Sequence, residues 1–239
     1  MSLPNKAVAK EIYYPESDGE PMAETDVHRN LMAELISQLE TYYATDPAVY
    51  VSGNLLLYYV EGNPAKCVAP DVFVVRGVGK HERRIYKLWE EGRAPDVVFE
   101  LSSRKTLFKD VGQKSRLYER LGVQEYFLYD PEYDGQPDGL VGYRLQDGRY
   151  EELEIKDGVV HSETLGLDLV DTGVTLRLRH PQTGHLLPTK QELIEARHQA
   201  DAARQQAETR AEAEAAARHA AEAELMRLRE ELARLRAQS

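Results

Sequence analysis

From Lys190 to Ser239 the chain runs for fifty residues without a glycine or a proline. Fifteen of those residues are alanine, the best helix former, mixed with Glu, Arg and Gln. The composition predicts one long helix that starts just after Thr189. It carries nine basic and ten acidic residues, so of the chain's net −11 the preceding body holds −10. Near its end, Leu225, Leu228, Leu232 and Leu235 follow a 3, 4, 3 spacing, which is an a/d heptad seam. Upstream of Leu225 the same stripe is mostly alanine. The expectation is a helix that self-associates, making residues 190–239 the seat of a homo-oligomer. The alternative is a solvated helix that packs on nothing.

A chain of 239 residues has room for one ordinary domain plus this appendage. The division read from the sequence is an N-terminal segment 1–20, a body 21–188 and a helical tail 189–239. No apolar run reaches the eighteen residues that a membrane-spanning helix needs, so no membrane association is expected. Met1 to Pro15 lacks the basic-then-apolar pattern of a secretory signal. A single cysteine, Cys67, excludes an intramolecular disulfide and any multi-cysteine zinc site. A cytoplasmic protein is expected. The acidic body argues against coating nucleic acid by bulk electrostatics. It does not argue against an enzyme that meets phosphodiesters through bound metal, because metal ligands are themselves acidic.

The body mixes two periodicities. Asp26–Ala44 places Leu31, Met32, Leu35, Ile36, Leu39, Tyr42 and Tyr43 at helical spacing, with Thr25 as a cap. Strand-like runs follow at Val49–Ser52, Leu55–Val60 and Val72–Arg76, with Gly53-Asn54 reading as a turn between the first two. Val97–Ser102 reads as a strand, Leu107–Leu121 as an amphipathic helix stopped by Gly122, and Tyr126–Tyr129 as a strand. Further strand-like pieces are Leu140–Leu145, Tyr150–Ile155 and Val174–Leu178. This order predicts an α/β (α+β) fold: a mixed central sheet with an antiparallel part, flanked by helices.

Two Pro-Asp pairs stand at strand starts, Pro70-Asp71 and Pro95-Asp96. Along the second strand, Asp96, Val98, Glu100 and Ser102 share one face. Asp96 and Glu100 are separated by roughly 13 Å along an extended strand, too far to share one ion without a bend. Glu100 sits in an apolar run, and a buried carboxylate is costly unless it is paired or metal-bound. Asp71 on a neighbouring strand is its natural partner.

The following helix adds a cation. At about 100° per residue, Leu107, Leu117, Tyr118 and Leu121 form one inward stripe. Asp110 and Lys114 fall inside that stripe, whereas Lys109, Arg116, Glu119 and Arg120 face water. Lysine is rarely buried without a partner. Two accounts stand: an internal Asp110–Lys114 ion pair or a snorkelling lysine, against a lysine aimed at carboxylates on the preceding strand. An Asp, a Glu and a Lys so placed suit metal-assisted phosphodiester hydrolysis, with the carboxylates on Mg²⁺ (Mn²⁺ as a substitute) and the lysine serving water or phosphate. His28 falls in the apolar face of the first helix and reads as a core histidine. Tyr58, Tyr59, Tyr118, Tyr126 and Tyr129 read mostly as core rather than as base-stacking platforms.

Three segments carry a resemblance: Leu55–Val75 (LLLYYVEGNPAKCVAPDVFVV), Arg84–Glu100 (RIYKLWEEGRAPDVVFE) and Leu101–Pro131 (LSSRKTLFKDVGQKSRLYERLGVQEYFLYDP). With Leu165–Leu187, they resemble the Uma-two family of restriction-type endonucleases, within the PD-(D/E)XK nuclease superfamily. The resemblance covers about residues 20–188. It implies a restriction-endonuclease-like central sheet, Mg²⁺-dependent cleavage of DNA, and Asp71 and Glu100 as metal ligands. The superfamily's usual lysine position is Ser102 here, which cannot do that lysine's work. The family pattern implies Lys114 as the substitute, its role left open between catalysis and only holding Glu100 in place, so Asp71, Glu100 and Lys114 form the candidate catalytic set. Asp96, Ser102 and Asp110 are supporting candidates, and Glu34, at the edge of the first helix's apolar face, is a further acidic one.

Three functions remain open at this level. One is a metal-dependent DNA endonuclease, tethered in pairs by the tail so that two sites can cut both strands of a duplex. The second is a catalytically weak or dormant scaffold that works as a binding or assembly module through its coiled coil. The third is an RNA-directed nuclease or a protein that acts on damaged DNA.

Overall fold

The computed structural model describes residues 12–17, 25–102, 110–135 and 139–237. The chain divides into two compact units, 1–189 and 190–239.

In the first unit, helix α1 (Asp26–Tyr42) starts where Thr25 Oγ1 accepts the N–H of His28 at 3.2 Å, satisfying one donor of the open first turn. Six strands build the central sheet: β1 (Val49–Ser52), β4 (Val72–Arg76), β6 (Val97–Leu101), β7 (Glu125–Tyr129), β8 (Leu140–Gln146) and β9 (Arg149–Glu152), adjacent in that order. Among the described residues of this sheet, only the β6–β7 pair is parallel. The connection between them contains a π-helical turn (Asp110–Lys114) that continues into α3 (Ser115–Leu121). Gly122, at φ 79°, ends α3 in the left-handed conformation that a residue without Cβ adopts at low cost. The mixed sheet with flanking helices expected from the sequence is the architecture observed.

Both faces of the sheet are covered, which is why β6 and β7 are buried along their whole length instead of alternating with solvent. Val72, Val74, Val97, Phe99 and Phe127 face Leu31, Leu35 and Leu39 of α1. The same layer includes leucines from a second sheet, β10 (Val159–Ser162), β11 (Leu167–Asp171) and β12 (Leu176–Arg179). Phe73, Val75, Val98, Tyr126 and Leu128 face the other way, toward Tyr118 of α3. That layer is shared with Leu57 and Tyr86, from a small sheet of β3 (Cys67–Val68), β2 (Leu57–Tyr58) and β5 (Tyr86–Lys87). A short helix, α2 (Leu88–Glu91), follows β5.

Buried polar groups tie the layers together. Glu125, on the α1 face of β7, is fully buried and accepts bonds from Arg144 Nε at 3.0 Å, from the Glu163 N–H at 3.0 Å and from Ser162 Oγ. It thereby joins the central sheet to the end of β10.

Several local expectations shift. The run Leu55–Val60 contributes only the two residues of β2, in the small sheet. Gly53-Asn54 does turn, with Asn54 at φ 50°, but β1 pairs with β4 and no β1–β2 hairpin forms. The backbone N–H of Asn54 instead donates to Pro70 O at 2.8 Å. Residues 107–109 of the expected helix lie outside the described residues, and its described start is π-helical. Strands β3, β5 and β10 are additions to the pieces read from the sequence, and β11 falls within Leu165–Leu187, which is read only through its resemblance.

The second unit is a single helix, α4 (Lys190–Ala237), of 48 residues and about 72 Å at 1.5 Å per residue. Pairs such as Arg204–Glu208 at 2.8 Å and Arg210–Glu214 at 3.0 Å support its surface. Among the described residues, no helix is long and apolar enough to cross a membrane.

Candidate active site

Glu100 is the fourth residue of β6, and strand alternation places it on the same face as Val98, the face that meets Tyr118. It is 1% exposed. A carboxylate there needs donors, and the next helical segment supplies two. Lys114 Nζ donates to Glu100 Oε2 at 2.7 Å, and Tyr118 OH donates to Oε1 at 2.6 Å. Lys114 and Tyr118 are four positions apart, so one helical face presents both. Burial first, and then the Glu100 charge, push the Tyr118 phenol well above its ordinary value. Tyr118 is therefore held as a neutral donor.

Asp71 immediately precedes β4. The β4–β6 register pairs Val72 with Phe99, so one further step sets Asp71 opposite Glu100. Its carboxylate confirms the approach: Oδ2 accepts the N–H of Leu101, the residue after Glu100, at 2.7 Å. Gly53 allows the chain to come this close, because a Cβ at that position would lie 2.1 Å from Asp71 O. Burial alone would raise the Asp71 pKa. The bond and charge of His28, the charge of Lys114 and the Leu101 N–H outweigh it and hold the carboxyl below its usual 3.8.

Asp71, Glu100 and Lys114 therefore converge. Ser102 lies one residue past the end of β6, 2% exposed; its N–H donates to Tyr129 O at 2.8 Å, and its buried Oγ has no hydrogen-bond partner among the described residues. Asp96 stands before the opposite end of β6. It accepts the Arg76 N–H at 2.6 Å and lies 3.5 Å from Arg93 Nη2, so it is not brought to Glu100. Glu34 Oε1 accepts a bond from Gln38 Nε2 at 2.9 Å on α1. Asp110 begins the π-helical turn, and its side chain lies outside the described residues.

Two contributors escaped the sequence reading. His28 is not simply a core residue: its Nε2 is 3.3 Å from Asp71 Oδ1, with both side chains under a fifth exposed. Tyr118 is core, as expected, and also the second donor to Glu100. The signal for both was available in principle, since an imidazole or a phenol on an apolar helix face needs a polar partner when buried.

The donor set suits a hard cation: two carboxylates from adjacent strands supply oxygen only. No group of three or more His, Cys, Asp or Glu side chains is arranged to hold a metal among the described residues.

Residues 4–178 match a family, Uma2, described as "Putative restriction endonuclease". A solved structure titled as a "putative nuclease belonging to DUF820" from Anabaena variabilis ATCC 29413 is similar at 17% identity and a TM-score of 0.46, over 59% of this chain and 75% of that chain. No curated protein matches the chain.

Proposed function

Because this chain belongs to the Uma2 family of restriction-endonuclease type, we propose that it is a divalent-metal-dependent endonuclease that hydrolyses DNA phosphodiester bonds. The observation that carries the reading is the buried Glu100 carboxylate, set beside Asp71 and reached by Lys114 at 2.7 Å. In this reading Asp71 and Glu100 hold Mg²⁺, or Mn²⁺ in its place. Such an ion lowers the pKa of bound water and offsets charge on the phosphate.

The chain's own groups have distinct tasks. Tyr118 OH fixes the orientation of Glu100. The Leu101 N–H and His28 fix Asp71. Lys114 Nζ carries three donors, of which one serves Glu100 Oε2. In this reading the same ammonium orients the attacking water or a phosphate oxygen, the task that a lysine at position 102 would otherwise have.

Titration with Mn²⁺ tests the site without an assay of cleavage. Wild type should bind, and Asp71→Ala, shown folded by circular dichroism, should bind at least about tenfold more weakly. Equal affinities would remove Asp71 from the site.

A second reading has one observation behind it. Both oxygens of Glu100 already accept bonds, from Lys114 and Tyr118, and a closed pair of this kind also serves as structure alone. In that reading the chain is a dormant nuclease scaffold, and Mn²⁺ binds wild type and Asp71→Ala alike.

A further inference from the structure

The last turns of α4 expose a row of large apolar side chains. Leu225, Leu228, Leu232 and Leu235 are 50% to 61% exposed. With Leu225 and Leu232 at a, and Leu228 and Leu235 at d, the flanking g positions are Glu224 and Glu231 and the e positions are Arg229 and Arg236. Across residues 224–236 each g is acidic and each e is basic. Charged flanks on both sides leave an apolar stripe only as wide as one partner helix covers.

The charges also select an orientation. In a parallel, in-register pair, each g residue meets the e residue five positions on in the other helix, which joins Glu224 to Arg229 and Glu231 to Arg236 in both directions. An antiparallel pair sets g against g and e against e, which opposes Glu to Glu and Arg to Arg. Within one helix, Arg229 and Arg236 have no acidic residue three or four positions away, unlike Arg204, Arg210 and Arg218 upstream. Their complement lies on a second chain. We propose that residues 224–236 pair two copies of this chain as a parallel, in-register coiled coil.

The pairing does not rest on the nuclease reading, and its test needs no cleavage. Each helix joins its own body at Lys190, so a pair carries two candidate sites in one particle. If the nuclease reading holds, that arrangement suits a cut in both strands of a duplex.

Sedimentation equilibrium of the full chain should give twice the monomer mass. Arg229→Glu/Arg236→Glu and Glu224→Arg/Glu231→Arg should each weaken self-association about tenfold or more. An equimolar mixture of the two should recover the dimer, an outcome that unfolded variants would not give. Orientation is read in a Cys67→Ser chain by mild oxidation. Leu225→Cys alone should form a disulfide-linked dimer. A monomer mass at all concentrations, or linkage found only when Leu225→Cys and Leu235→Cys chains are mixed, would overturn the proposal.

Discussion

Lys114 Nζ and Glu100 Oε2 stand 2.7 Å apart, although fourteen positions of chain separate them and one belongs to a strand, the other to the turn that leads into a helix. The pair exists because β6 buries a carboxylate on the face that the following helix covers. Tyr118 completes it from the next turn at 2.6 Å. Tyr118→Phe removes one donor to a charged acceptor and keeps the ring. It should cost about 2 kcal/mol in urea unfolding. It should also weaken Mn²⁺ binding about tenfold, since the carboxylate loses the group that orients it.

Gly53 is a steric control on the opposite side of the site. A methyl at Gly53 would lie 2.1 Å from Asp71 O, whereas one at Gly79 would meet only His81 Nδ1 at 3.7 Å. Gly53→Ala should therefore destabilise by about 1–3 kcal/mol and weaken cation binding, as overpacking displaces Asp71. Gly79→Ala should do neither. Parallel thermal melts and Mn²⁺ titrations of the two variants check this.

Glu125 should behave as a structural carboxylate. Its removal in Glu125→Ala takes the acceptor from Ser162 Oγ and from the Glu163 N–H, and one of its partners from Arg144, which keeps Glu163 and His161 O. Loss of one member of a buried ionic group costs about 3–5 kcal/mol. Denaturant unfolding should show a loss of that order, the largest among these variants.

Acid should weaken the second sheet through Asp168. Burial favours the neutral form, but His161, at 2.8 Å from Oδ1, and Arg179, at 2.8 Å from Oδ2, outweigh it and lower the carboxyl below 3.8. A carboxyl lowered on folding adds stability above its unfolded value and loses it as pH falls through its folded value. Asp168→Ala should thus be destabilised at pH 7, by about 2 kcal/mol for hydrogen bonds to a charged group. Its deficit against wild type should shrink as the pH drops below 3.8. Urea midpoints of both proteins across that range test the sign.

Much of this architecture can be read from residues because local signals agree with tertiary demands. Val49–Ser52 and Val72–Arg76 are β-branched runs bounded by turn residues, and they are strands over those same residues. Thr25 and Gly122 mark helix ends by their own chemistry. Val159–Ser162 and Leu167–Asp171 are harder to read because they are short and become strands by pairing with each other and with β12. At the site, spacing isolates Glu100 and Lys114. The alignment of Asp71 with Glu100 depends on the β4–β6 register, a long-range property that no local window contains. The contact of His28 with Asp71 depends on how α1 crosses the sheet, and periodicity reports only that His28 faces inward.

Cleavage is the direct measure of the central claim. Plasmid, linear duplex and single-stranded DNA are incubated with Mg²⁺ or Mn²⁺ and wild type, Glu100→Ala or Lys114→Ala, each shown folded. The account predicts that wild type cuts, that metal chelation stops it, and that both variants lose at least about a hundredfold in rate, as expected for removing a ligand or a charge-stabilising group. A folded wild-type protein that cuts none of these substrates, or a Lys114→Ala variant that cuts as fast as wild type, would contradict it.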